Sequence, residues 1–88
     1  MQVRFTKVFL KEVEQNTNAK LASSVNNIIQ SIKAADSLMT ITNMKKLTGY
    51  KNAYRIRTGD YRIGMVIEND MLIFSRFMHR KDIYKFFP

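Results

Sequence analysis

One change of hydrophobic period, near Ala53, limits what this chain can fold into. Before it, Leu21, Val25, Ile28, Ile32 and Ala35 recur at helical spacing, with Lys20, Ser24, Asn27 and Lys33 off that stripe. After it, Tyr54 and Ile56 alternate with Arg55 and Arg57. Tyr61, Ile63, Met65 and Ile67 then alternate with Arg62, Gly64, Val66 and Glu68. Helical periodicity followed by alternation puts helices first and strands afterwards. That segregation defines an α+β domain.

The boundaries follow from local signals. Met1 to Phe5 alternates weakly and reads as a short strand. Thr6 is placed to cap a helix from Lys7 to about Gln15. Asn16-Thr17-Asn18 breaks it, and a second helix spans Ala19 to Ala35. Two helices joined by so short a break should pack as an antiparallel hairpin. Asp36 to Lys46 reads as a loop with one anchored stretch, Ile41 to Met44. Thr58-Gly59-Asp60 and Asn69-Asp70 are tight turns, so the strands around them form a three-stranded antiparallel meander ending near Met78. Arg80 to Phe87 is a short C-terminal tail. The helices should cover the face of Tyr54, Ile56, Tyr61, Ile63, Met65 and Ile67, leaving Arg55, Arg57 and Arg62 on the other.

With 88 residues, there is room for one domain spanning residues 1–88. There are no cysteines and one histidine, which excludes disulfides and thiolate or multi-histidine metal sites; no cofactor is called for. No apolar run is long enough to span a membrane, and no charged-then-apolar leader is present. The chain therefore reads as a soluble cytoplasmic protein. Lys and Arg number 15 against 7 Asp and Glu, a net charge of +8. Most of the excess lies from Lys45 onward. Such a charge on a small domain implies a polyanionic partner.

Arg55 and Arg57 share one parity and leave the same face of their strand. Arg62 follows just past the turn. Guanidinium groups grip phosphate bidentately. Arg80 and Tyr84 are one helical turn apart after the third strand, and a tyrosine ring can stack an unpaired base. Lys45, Lys46, Arg76 and Lys81 extend the basic surface as RNA-binding candidates. Together these residues outline a single-stranded RNA site. About four or five phosphate contacts would give a log–log salt slope of roughly −3.

Lys46-Leu47-Thr48-Gly49, Tyr54-Arg55-Ile56-Arg57, Gly59-Asp60-Tyr61-Arg62-Ile63 and His79-Arg80-Lys81-Asp82-Ile83-Tyr84 resemble, in order and spacing, the RelE/ParE superfamily of toxin–antitoxin toxins. The resemblance covers essentially the whole chain. It implies a metal-independent endoribonuclease of the RelE-like branch that cuts messenger RNA in the ribosomal decoding site. It also implies a cognate antitoxin, acidic and DNA-binding. Arg55, Arg57, Arg62, Arg80 and Tyr84 match the family's basic and aromatic site positions.

The implied chemistry is attack of a ribose 2′-hydroxyl on its adjacent phosphate. Where the family places a lysine as proton acceptor, this chain has Arg57. An arginine stays protonated at any useful pH and is a poor general base. Three ways round this are open: positioning and charge alone at a slower rate, proton transfer by His79, an imidazole being suited to it near neutral pH, or a contribution from Glu68 at a hairpin end. His79 is the candidate for proton transfer. Two other readings stand beside this one. A ParE-type inhibitor of DNA gyrase would cut no RNA, and that branch generally lacks the full basic-plus-tyrosine set. A non-catalytic RNA-binding module or inactivated toxin is the second, and Arg57 favours it.

Overall fold

The computed structural model describes residues 1–16, 18–41 and 43–88. Its elements are β1 (Gln2–Phe5), α1 (Lys7–Asn16), α2 (Ala19–Ala34), a 3-10 turn (Leu38–Thr40), β2 (Met44–Lys46), β3 (Ala53–Thr58), β4 (Tyr61–Glu68), β5 (Met71–His79) and α3 (Ile83–Phe86). The α+β class and the order of strand, helices and meander are as the sequence predicts. Thr17 in the expected break and Thr42 in the expected anchored stretch lie outside the described residues.

Both long helices start on side-chain caps. The Phe9 N–H donates to Thr6 Oγ1 at 3.0 Å, and the Leu21 N–H donates to Asn18 Oδ1 at 2.9 Å. Thr6 Oγ1 also donates to the Ser75 carbonyl at 2.9 Å, which ties the start of α1 to β5. Phe9 from α1 and Val25 and Ile32 from α2 are buried against Ile56, Ile63, Met65, Leu72, Phe74 and Phe77 of the sheet. No helix among the described residues is long and apolar enough to cross a membrane.

The sheet is larger than the expected meander. Its order is β1-β5-β4-β3-β2. β1 pairs parallel to β5, from Gln2 opposite Met71 to Phe5 opposite Phe74. β2 pairs antiparallel to β3, with Lys45 opposite Arg55. The segment expected as a loop thus contains a strand. Three residues are too few to display alternation, so pairing rather than pattern defines β2. Asn69 and Asp70 both take left-handed φ, 52° and 61°, as the two-residue β4–β5 hairpin requires.

One irregularity controls the outer face. Gly64 faces Arg76, yet Met65 faces Phe74, so Ser75 is the extra residue of a β-bulge in β5. The bulge reverses the parity of everything after it. Leu72, Phe74 and Phe77 all enter the helix-side core, while Met78 joins a cluster on the opposite face. Beyond Phe5, β1 no longer pairs with β5. Glu12 of α1 covers the open edge there. Its Oε1 accepts the Phe77 N–H at 3.1 Å, and its carboxylate holds Arg76 through two bonds of 2.9 Å. Satisfying a bare strand edge in this way blocks pairing with other chains.

The face opposite the helices carries Arg55, Arg57 and Arg62 as expected, but it is only half open. The C-terminal segment folds back over it. Ile83 and Phe87 bury against Ala53, with Leu47, Val66 and Met78 around them. The absence of a side chain at Gly64 permits this: a Cβ there would lie 2.8 Å from Phe87 ring carbons. Gly64→Ala should therefore cost about 1–3 kcal/mol by overpacking. Denaturant unfolding of Gly64→Ala, Phe87→Ala and the double variant checks this as a thermodynamic cycle. The alanine at Gly64 should cost much less once the Phe87 ring is gone. Strict additivity would show that the tail does not rest on Gly64.

Candidate functional site

Strand register gathers the basic side chains at the uncovered end of the outer face. Arg57 of β3 stands directly opposite Arg62 of β4, and Arg55 stands opposite Gly64. Arg80 follows β5, and its N–H extends the ladder by donating to the Asp60 carbonyl at 2.7 Å. Tyr84 projects from α3 and is 58% exposed. Arg62 is fixed by donating from Nη1 to the Gly59 and Tyr61 carbonyls, each at 2.9 Å.

The electrostatics of Arg62 tie the group together. Partial burial holds its guanidinium below the ordinary arginine range, and the positive fields of Arg57, Arg55 and Arg80 act in the same direction. Tyr84 opposes them. Four like charges and one aromatic ring thus share a patch. Asp60 lies 3.9 Å from Arg80, and this exposed contact is weak. Among the described residues, no protein group accepts a hydrogen bond from the side chain of Arg55 or Arg57, although Arg55 is only 7% exposed. Guanidinium groups without a protein acceptor, held together by backbone register, have the chemistry to receive an anion with several oxygens.

Three of the residues expected at the site, His79, Arg76 and Lys46, are oriented or engaged elsewhere. His79 faces Tyr61 across the ladder on the helix side, its ring edge-on to Tyr61 with centroids 5.6 Å apart. Its Nδ1 accepts the Lys81 N–H at 3.1 Å. The bulge at Ser75 is the physical reason, since it turns Arg80 toward the arginines and His79 away. Arg76 is committed to Glu12, an ion pair that raises its pKa, and also donates to the Phe86 carbonyl at 3.5 Å with its guanidinium over the Phe86 ring. Lys46 stands opposite Tyr54 and so carries helix-side parity, whereas Lys45 stands opposite Arg55 on the arginine side. Lys81 is exposed in the turn between β5 and α3.

The sequence reading missed Asn43 and Glu12. Asn43 takes a left-handed φ of 66° and, with Met44 and Lys45, borders a groove that Arg55 and Arg57 also line. An asparagine beside a short apolar stretch signals a left-handed turn, but not what the turn borders. No sequence signal marks Glu12, because its partners lie more than sixty residues away.

No protein-family model matches the chain. It is 39% identical, over the full length of both sequences, to a curated protein named toxin RelE3 from Methanocaldococcus jannaschii. Its fold matches the RelB-RelE antitoxin-toxin complex from Methanococcus jannaschii with a TM-score of 0.81 and 38% identity, covering 97% of this chain and 99% of that one. The archaeal RelE-RelB complex from Pyrococcus horikoshii shares the fold at a TM-score of 0.73 and 17% identity, covering 93% and 97% of the two chains. Full-length identity of this order, on a fold that superposes from β1 to the C-terminal segment, means that the chain belongs to the RelE family of toxins.

Proposed function

We propose that this RelE-family toxin is an endoribonuclease acting on messenger RNA, with ribosome-bound message as its substrate, and that an acidic antitoxin of the RelB type neutralises it. The observation that carries the reading is the cluster of cations: Arg55, Arg57, Arg62 and Arg80 converge beside Tyr84 with little neutralising charge. The relatives solved as complexes with antitoxins support the partner, and a net charge of +8 suits an acidic one.

In this reading the 2′-oxygen of a ribose forms a bond to the adjacent phosphorus as the bond from phosphorus to the 5′-oxygen breaks. The products are a 2′,3′-cyclic phosphate and a 5′-hydroxyl. The hydroxyl proton leaves to water and the 5′-oxygen takes one from water. Arg55, Arg57 and Arg62 stabilise the charge that builds on the phosphoryl oxygens. Arg80 stands on the leaving-group side, and Tyr84 stacks a base to hold attacker and leaving group in line. Catalysis rests on position and charge, consistent with an arginine at position 57 and with the placement of His79.

Brief expression followed by mapping of messenger RNA ends tests this. Arg62→Ala and Arg80→Ala should each lower cleavage about 100- to 1,000-fold. Each loss should also flatten the log–log salt dependence of RNA binding by about 0.7. Unchanged RNA ends with loss of plasmid supercoiling would identify a gyrase inhibitor instead. Bound but uncut RNA, free or on the ribosome, would identify a binding module.

His79→Ala separates the two accounts of proton transfer. With His79 facing Tyr61, its removal should slow cleavage less than about tenfold, mainly by loosening the turn at Lys81. A loss as deep as that of Arg62→Ala, in a folded variant, would return the imidazole to the reaction.

A further inference from the structure

The arginine patch does not end at the face of the sheet. Among the described residues, β2 stops pairing at Met44, opposite Ile56, and none pairs with Arg57 or Thr58 on that side of β3. A cleft of about 360 Å³ opens there, between α2 and the segment leading into β2. Ile28, Ile41 and Ile56 line it as apolar surface, and Asn27, Ser31 and Asn43 contribute polar groups with Arg57. Arg57 and Asn43 also line the neighbouring groove with Lys45 and Arg55. Two concavities thus share an edge, one cationic and one mixed.

We propose that this cleft is a subsite for one unpaired nucleobase of the RNA strand whose phosphate lies on the arginines; the inference rests on the reading of the chain as an RNA-cleaving toxin. The chemistry of the lining selects this class of ligand. A base needs apolar contact for its ring faces, and the four isoleucines of the lining, Ile32 among them, supply it. Its edge carries both donors and acceptors, and two asparagine amides and a serine hydroxyl can meet either kind. The volume lies at the low end of the roughly 300–1,000 Å³ typical of small-molecule sites. Arg57, without an acceptor in the protein among the described residues, bridges the two sites at a strand edge. A backbone phosphate on the arginine side therefore leaves the attached nucleotide within reach of the cleft. Such a pocket would bias where the toxin cuts, because base edges rather than phosphates carry sequence information.

Methyl and amide NMR of the full-length protein, titrated with each of the four nucleoside 5′-monophosphates, tests the assignment. Signals of Ile28, Ile41 and Ser31 should shift saturably, and by amounts that differ between bases. Inorganic phosphate should shift the arginine signals and leave Ile28 and Ile41 still. Ser31→Trp, which fills the cleft from the exposed side of α2, should weaken the base-dependent shifts at least tenfold while the response to phosphate remains. Its cleavage sites on messenger RNA should be redistributed relative to the parent. Asn27→Ala provides a second variant should the tryptophan disturb folding. Shifts confined to the arginines, or an unaltered cleavage map in Ser31→Trp, overturn the subsite and leave the nuclease reading intact. Shifts of Ile28 and Ile41 by antitoxin but by no nucleotide overturn it in favour of a protein-docking groove. Absence of RNA cleavage by the parent protein refutes the underlying reading and is detected separately.

Discussion

The bulge at Ser75 is the constraint on which the outer face depends. A strand displays alternate residues on alternate faces, and one extra residue exchanges the faces beyond it. In β5 the exchange falls between Phe74 and Phe77, which therefore both reach the core although only Ser75 and Arg76, two residues rather than one, lie between them. Met78 consequently seals the outer cluster, and Arg80 emerges beside Arg62. A bulge interrupts the ladder, and here its neighbouring groups are satisfied from α1. Thr6 donates to the Ser75 carbonyl, and Glu12 accepts from Phe77 while holding Arg76. The helix is thus both a core element and the clamp that stabilises the irregular edge.

The same clamp links the core to the C-terminal segment. Arg76 touches Glu12 on one side and the Phe86 carbonyl and ring on the other. Phe87 rests over Gly64, and Ile83 is fully buried. Between these anchors Tyr84 stays exposed. A side chain meant to meet a ligand is thereby carried by a short helix whose neighbours are committed to packing. Burial of the segment and exposure of Tyr84 are two results of one docking event.

Much of the site was legible in the residues. Arg55 and Arg57 share a face by strand parity alone, and Gly59-Asp60 returns the chain so that Arg62 lands opposite Arg57. Arg80 and Tyr84 were picked out by their one-turn spacing after the third strand, and the resemblance to a family added to it. His79 and Arg76 were misplaced for different reasons: His79 lies beyond the bulge, where simple alternation assigns the wrong face, whereas Arg76 keeps arginine-side parity opposite Gly64 and is withdrawn by Glu12, a residue distant in the chain. Lys45 and Lys46 could not be separated until β2 had a partner strand, because parity has meaning only within a sheet.

By itself the sequence determined the α+β class, the two capped helices, the positions of the turns and the excess of positive charge. Each of these follows from interactions between residues near one another in the chain, or from composition. The tertiary structure alone decided the sheet order, the strand character of Met44–Lys46, the folding of the tail over Gly64 and which of His79 and Arg80 joins the arginines. Those outcomes depend on hydrogen bonds and packing between distant segments, and a periodicity confined to one segment does not encode the partner that settles its register.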